Sequence, residues 1–354
     1  MRGRYTPLAI LGALVVGVQL ATAATGTTYF LTQLTMTGYY TLVVVGLCLL
    51  MGYAGQISIG HAGFFAIGGY TTAFLTTCNL APYAQRPAVA LLLRTGLAVS
   101  GRDLYGAALT TLHPGLAFAG ALALAATVAV LIGIPVLRLK GHYLAMATLG
   151  FGLIVYRVVL GTAALGAADG LSDVPAFVLA PGVKIAGGVA GRLANYYVAW
   201  GLVMLAALLM LNLMHSRAGR ALAAIHGNEA AAQAMGVDTA AFKLRLFVCS
   251  AILAAAAGAL LTHFTGGIGP SEAGVMKSVR YVAIVAVGGM ANLWGTIGAS
   301  ALLNFLSLRG YFGTYDDAVF GGCLVLMMLF APQGLLARAT YNRLRALVRG
   351  RRRA

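Results

Sequence analysis

The sequence predicts an all-α polytopic membrane protein with about ten transmembrane helices. Composition points there first. Of 354 residues, 60% are hydrophobic and only 9% charged, and the mean hydropathy is +0.88. Soluble domains carry roughly 25% charged residues, and a chain this poor in charge has too little polar surface to face water all round. The second observation is that apolar runs of span length recur from end to end; the third is that basic residues gather where those runs stop. One membrane domain over 1–340 and a basic tail at 341–354 follow.

A helix needs about 20 apolar residues to cross a bilayer, and fewer where it is broken. Candidate spans stand at 7–25, 30–51, 59–77, 115–137, 142–160, 195–214, 246–265, 279–291, 295–309 and 318–336. The first follows Arg2 and Arg4 and ends near Ala21 and Ala23, a pattern shared with cleavable signal peptides. Because more spans follow, an uncleaved first helix with its basic end in the cytoplasm is the favoured expectation. The eighth and ninth are short and Gly-rich, as a broken or re-entrant pair would be. Either way the even parity keeps both termini in the cytoplasm.

The formal net charge of +16 raises nucleic acid as a partner, but its placement argues otherwise. Arg343, Arg345, Arg349, Arg351, Arg352 and Arg353 crowd the tail, and Arg138, Lys140, Arg217, Arg220, Lys243 and Arg245 sit in short connections. This is the positive-inside pattern, and no nucleic-acid module accompanies it. The four cysteines are scattered without metal or disulfide spacing. Cys48, Cys249 and Cys323 fall in apolar runs and read as small buried hydrophobes, whereas Cys78 lies near a span end.

Two connections are expected outside the membrane. Residues 79–114 contain Pro82, Arg86, Pro87, Arg94, Arg102, Asp103, His113 and Pro114, with an apolar patch at Ala88–Leu93 that suits a surface helix. Residues 161–194 form the second, with Asp169, Asp173 and Pro175. Glycines cluster inside apolar runs: Gly60, Gly63, Gly68 and Gly69, then Gly288, Gly289, Gly295 and Gly298. Singly each suits close helix packing; together they fit unwound backbone beside a transport path.

Residues 215–245, on the cytoplasmic side, are too polar to span. Ala218–Ile225 and Asn228–Met235 read as two short helices parted by Gly227, with Asn228 as a cap, Glu229 favourable at a helix start, and Gly236 as a stop. Such an Ala-rich pair suits a groove on a partner, or it is an ordinary solvated loop. Glu229-Ala230-Ala231, with Gly236 seven residues after Glu229, resembles the EAA loop of ABC-importer permeases. The wider frame SRAGRALAAIHGNEAAAQAMGVDTAAFKLRLFVCSAILAAAAGAL is similar to the branched-chain amino acid permeases, in particular their M-type subunit. Four other stretches agree in order: GYAGQISIGHAGFFAIGGYTTAFL at 52–75, RLKGHYLAMATLGFG at 138–152, VAVGGMANLWGTIGAS at 285–300 and LFAPQGLL at 329–336. The expanded 79–114 connection departs from that pattern.

The resemblance implies a type II ABC-importer-like permease of the bacterial inner membrane with a coupling-helix loop. Its implied partners are cytoplasmic ATPase subunits, a second homologous permease subunit, an external substrate-binding protein and membrane lipid. The chain has no G-x-x-x-x-G-K-[ST] loop, so hydrolysis must reside elsewhere, and no cofactor or metal is expected. Coupling would involve Glu229, Ala230, Ala231 and Gly236, flanked by Arg217 and Arg220. The alternative for Glu229 is a plain helix-start carboxylate. Path candidates are Gln56, Ser58, His61, Phe64 and Phe65 in the first Gly-rich signature, with Gly288 and Gly289 in the second. His61 stands at a span start, where a histidine is more often satisfied structurally than functional. Arg157 and Arg280 are charges near span ends, either functional or snorkelling outward. An ion-coupled transporter would carry acidic groups within spans, yet all eight carboxylates fall in expected connections. An enzyme is disfavoured by the lack of a nucleophile, carboxylate-pair or metal pattern. Urea, short amides or sugars are alternative cargoes for the same architecture.

Overall fold

The computed structural model describes residues 5–83, 93–94, 97–102, 108–139, 141–180 and 182–330. Helices stand at all ten expected positions: α1 (Thr6–Ala24), α2 (Phe30–Ala54), α3 (His61–Thr77), α4 (Pro114–Val136), α5 (His142–Gly161), α6 (Arg192–His215), α9 (Thr239–Thr265), α10 (Val275–Gly288), α11 (Leu293–Leu308) and α12 (Asp316–Phe330). Between α6 and α9 lie two short helices, α7 (Arg217–Gly227) and α8 (Glu229–Ala234). Among the described residues, six helices are long and apolar enough to cross a membrane: α1, α2, α4, α5, α6 and α9. The remaining four, α3 and α10–α12, are shorter. The last six positions of the tenth expected span, 331–336, and the tail lie outside the described residues.

α2 is the core of the bundle, buried along most of its length, with α6, α9 and α11 against it. α1 rides on the periphery beside α6, apolar all round as a lipid-facing helix should be. Small residues bring the central helices together. A Cβ at Gly258 would collide with the Phe65 carbonyl, one at Gly68 with the Ala255 carbonyl, and one at Gly52 with the Met290 carbonyl. Without a hydrophobic force between helices in lipid, such backbone approaches supply the dispersion contacts that hold the bundle. Gly60, Gly63, Gly69, Gly288 and Gly295 are likewise filled by neighbours, whereas Gly298 faces open space.

The connections divide into two ends. At one end lie α7, α8 and the start of α9. At the other, β1 (Ala98–Arg102) pairs antiparallel with β2 (Ala108–Leu112), and β3 (Phe177–Ala180) with β4 (Val183–Ile185). The long 79–114 connection therefore contains a hairpin, and most of the apolar patch expected as a surface helix lies outside the described residues. The 161–194 connection is tied down: Leu171 bridges Ile268, and His263 Nδ1 donates to the Pro175 carbonyl at 2.7 Å. One expectation needs correction here. Cys249 is exposed and Cys323 half-buried, with Cys48 alone of the three buried, because α9 and α12 turn one face away from the bundle.

Candidate functional site

The end of the molecule opposite the hairpins carries a built elbow. Ser216 Oγ accepts from the Gly219 amide at 3.2 Å and starts α7. Leu222 and Ile225 turn inward, leaving Ala223, Ala224 and His226 exposed. The break falls at Asn228, one residue later than the glycine expected to make it, and the Asn228 side chain accepts from the Ala231 amide at 3.1 Å. α8 ends at a left-handed Gly236 (φ 81°). Ala230 and Ala231 form an exposed, small-residue ridge that ends at Met235, 84% accessible. Arg217 and Arg220 are exposed at the elbow's start. Glu229 turns back into its own chain: its carboxylate accepts from Lys243 at 2.5 Å on the first turns of α9 and from Thr239 Oγ1 at 3.4 Å. Gln233 donates to the same threonine at 2.9 Å. The ion pair staples α8 to the base of α9, beside a cavity of about 410 Å³ also lined by Gly133, Leu137 and Arg138 of α4 and the turn after it.

From this end the chain re-enters the bundle without helical structure. Gly55 ends α2 in a left-handed turn (φ 64°) beside the His226 imidazole. Residues 55–60 then climb to His61, whose Nε2 lies 2.7 Å from Ser250 Oγ. Ser250 is eleven residues along α9 from Thr239, about 16 Å deeper at 1.5 Å per residue. Along this climb the Ile59 amide donates to Thr148 Oγ1 at 3.0 Å, and the Ala62 amide to Ser278 Oγ at 3.1 Å. His61 Nδ1 is 3.0 Å from Ser58 Oγ, so both ring nitrogens are occupied. Phe64 packs edge-on against Phe247 (5.5 Å) and near Phe151 (4.7 Å). Five path candidates thus converge in the interior: Gln56, Ser58, His61, Phe64 and Phe65 are all buried. Gln56 differs from the rest, since neither polar atom of its amide has a protein partner among the described residues. Gly288 and Gly289 sit elsewhere, at the tight α10–α11 connection, where Gly288 packs against Thr296 and the following Met290 carbonyl meets α2.

A second segment dips in from the hairpin end. After α9, residues 266–274 fold back through a 3-10 turn at Pro270–Ala273. This carries Glu272 to Tyr40, ten residues along α2 from Phe30 and about 15 Å from that end. Tyr40 Oη donates to Glu272 at 3.3 Å, and Lys277 Nζ donates to Glu272 Oε1 at 2.9 Å and to Tyr40 Oη at 3.3 Å. The sequence places this carboxylate in a connection, which it is. What the sequence does not disclose is that the connection is folded inward. The available signal was the short apolar run at 279–291 after Pro270, which leaves room for a connection that folds inward. Arg280 is also engaged, forming ion pairs with Asp316 (2.6 Å) and Asp317 (2.7 Å). Arg157 stands exposed on the outer face of α5.

Two non-helical segments that enter a buried bundle fit a transporter, because irregular backbone at depth is tolerated only beside protein or a cavity. Comparison with known families decides the class. Residues 29–330 match the family described as branched-chain amino acid transport system / permease component. The chain belongs to this permease family. The match takes in the elbow and both dipping segments. The permease is 32% identical to the high-affinity branched-chain amino acid transport system permease protein LivM of Salmonella typhimurium, over 85% of this chain and 68% of that protein. The same figures hold for LivM of Escherichia coli. It is also 26% identical to the permease protein LivH of Escherichia coli, over 88% of this chain and 96% of that one. No solved structure matches the permease. It is a multi-pass membrane protein, as its long apolar helices require.

Proposed function

We propose that the permease is the membrane subunit of an ATP-driven importer that moves branched-chain amino acids inward. The α7–α8 elbow is the observation that carries this. Two short capped helices present an Ala-rich ridge while Glu229–Lys243 fixes them to α9. A rigid small-residue ridge fits a groove on a soluble partner, and the pair transmits a push on the ridge to α9 and, through Ser250, to His61. His226 beside Gly55 gives a second route into the same interior segment. The partner would be a pair of ATPase subunits whose ATP-bound state favours one orientation of the path, since a ligand shifts an equilibrium only by binding one state better.

The cargo assignment is supported by the names of the relatives, all permeases of high-affinity branched-chain amino acid systems. Similarity to both LivM and LivH supports a second, homologous permease beside this one, with a soluble binding protein delivering solute at the hairpin end. The elbow end would be cytoplasmic, because Arg138, Arg217, Arg220, Lys243 and Arg245 gather there. Cells lacking this chain, with and without its restoration, provide the test, read as uptake of labelled leucine. Restored uptake that valine and isoleucine block and ATP depletion abolishes is expected. Restored uptake of urea alone would overturn the cargo; uptake that survives ATP depletion and follows an ion gradient would overturn the energy source.

A further inference from the structure

The ion pair at the centre of the bundle stands where charge is hard to keep. Glu272 and Lys277 meet about 15 Å along α2 from its hairpin end, and their side chains remain 19% and 24% accessible. Charged groups at such depth face a water-filled cavity or the bundle interior, not lipid. Their accessible side is thus turned to a cavity or to the bundle interior, where a solute path would run. Around them stands an aromatic wall: the Tyr40 ring lies under Lys277 Nζ at 4.8 Å, stacks on Phe65 at 5.9 Å and leans on Tyr281 at 6.3 Å. The hydroxyls of Tyr70 and Tyr281 are buried without a hydrogen-bond partner among the described residues. Both residues are more than nine-tenths buried. The other strong cation nearby, Arg280, is already neutralised by Asp316 and Asp317.

We propose that Glu272, Lys277 and the surrounding tyrosines form a subsite in the translocation path for the zwitterionic head of an α-amino acid. This deepens the transport function proposed above and rests on it. Glu272 takes the ammonium group and Lys277 the carboxylate, so each protein charge exchanges one partner for another. The exchange leaves no net charge in the bundle, because ligand and ion pair are both neutral overall. The Tyr281 and Tyr70 hydroxyls are unused donors that a carboxylate can satisfy. The Tyr40 ring, stacked on Phe65, backs the pair with an apolar wall. A solute with only one of the two charges leaves a protein charge unpaired at depth and is rejected. Urea, which has neither charge, gains nothing from the pair.

The test is equilibrium binding of labelled leucine to the purified complex of this permease with its partner subunits, in the absence of binding protein. Valine should compete; 3-methylbutylamine, 4-methylpentanoate and urea in hundredfold excess should not. Glu272→Gln and Lys277→Met should each weaken binding at least tenfold. Tyr281→Phe removes a hydroxyl that has no partner among the described residues, so the complex should assemble and melt as wild type while leucine binding falls several-fold. That variant decides the matter where the charge variants fail to assemble. A complex that imports leucine with ATP but binds none, or whose assembled Tyr281→Phe and charge variants bind as wild type, overturns this site alone. A complex that imports no leucine overturns the transport function itself and this site with it.

Discussion

Glu229 is where the EAA-like motif meets its own chain. Its carboxylate is held by Lys243 and Thr239, so it shapes the elbow through α9 while Ala230 and Ala231 remain on the exposed ridge. Removing one partner of a partly buried ion pair leaves the other uncompensated, at a cost on the order of 1–3 kcal/mol. Glu229→Lys should therefore lower leucine uptake severalfold by setting two cations against each other. The exchanged pair Glu229→Lys with Lys243→Glu should recover a large part of it. Recovery would show that Glu229 acts through the ion pair; none would make it a direct contact of a partner subunit. Gly258 makes a different kind of residue-scale statement. Its missing Cβ is the space the Phe65 carbonyl occupies, so Gly258→Ala should destabilise by about 1–3 kcal/mol through overpacking. Gly298→Ala, which meets nothing within 4 Å, should melt as wild type in the same detergent.

At the scale of elements, the elbow and the two dipping segments divide the labour. The elbow's form is local: Ser216 and Asn228 cap its helices and Gly236 stops the second. Asn228→Ala should cost about 1 kcal/mol of local helix stability, seen as faster hydrogen exchange confined to 228–236. Ala231→Trp leaves the fold untouched but blocks the ridge. Uptake should be lost while the protein's melting point holds, and unimpaired uptake would remove the ridge from the coupling surface. The dipping segments are not local in this sense. Residues 55–60 and the first turn of α3 hold their place through Thr148 on α5, Ser250 on α9 and Ser278 on α10. Residues 266–274 hold theirs through Tyr40 on α2 and Leu171 in the 161–194 connection. Each is therefore linked to helices far from it in sequence.

For the whole molecule, the testable statement is orientation. Met235 on the elbow and Val189 beside the second hairpin are 84% and 74% accessible, at opposite ends. In a background without the four native cysteines, Met235→Cys should resist a membrane-impermeant maleimide in intact cells and react after permeabilisation. Val189→Cys should react in both. The reverse pattern would invert the topology and make the elbow external, where no ATPase subunit could reach it.

Much of this protein is legible from its residues alone. The membrane class follows from the scarcity of charge, because surface composition must match its solvent. The ten helix positions follow from run length, and the elbow follows from caps and stops that act within four residues. The Gln56–Phe65 signature marks the interior, since Gly-rich polar sequence between apolar runs has few other uses. What tertiary structure alone decides is depth. Glu272 reads as a carboxylate in a connection, and its connection is folded to the level of Tyr40. Glu229 reads as a helix-start charge and is bound to a lysine fourteen residues on. The difference is physical. Composition and capping depend on neighbours in sequence, whereas the place of a charge in a bundle depends on which helices pack around it.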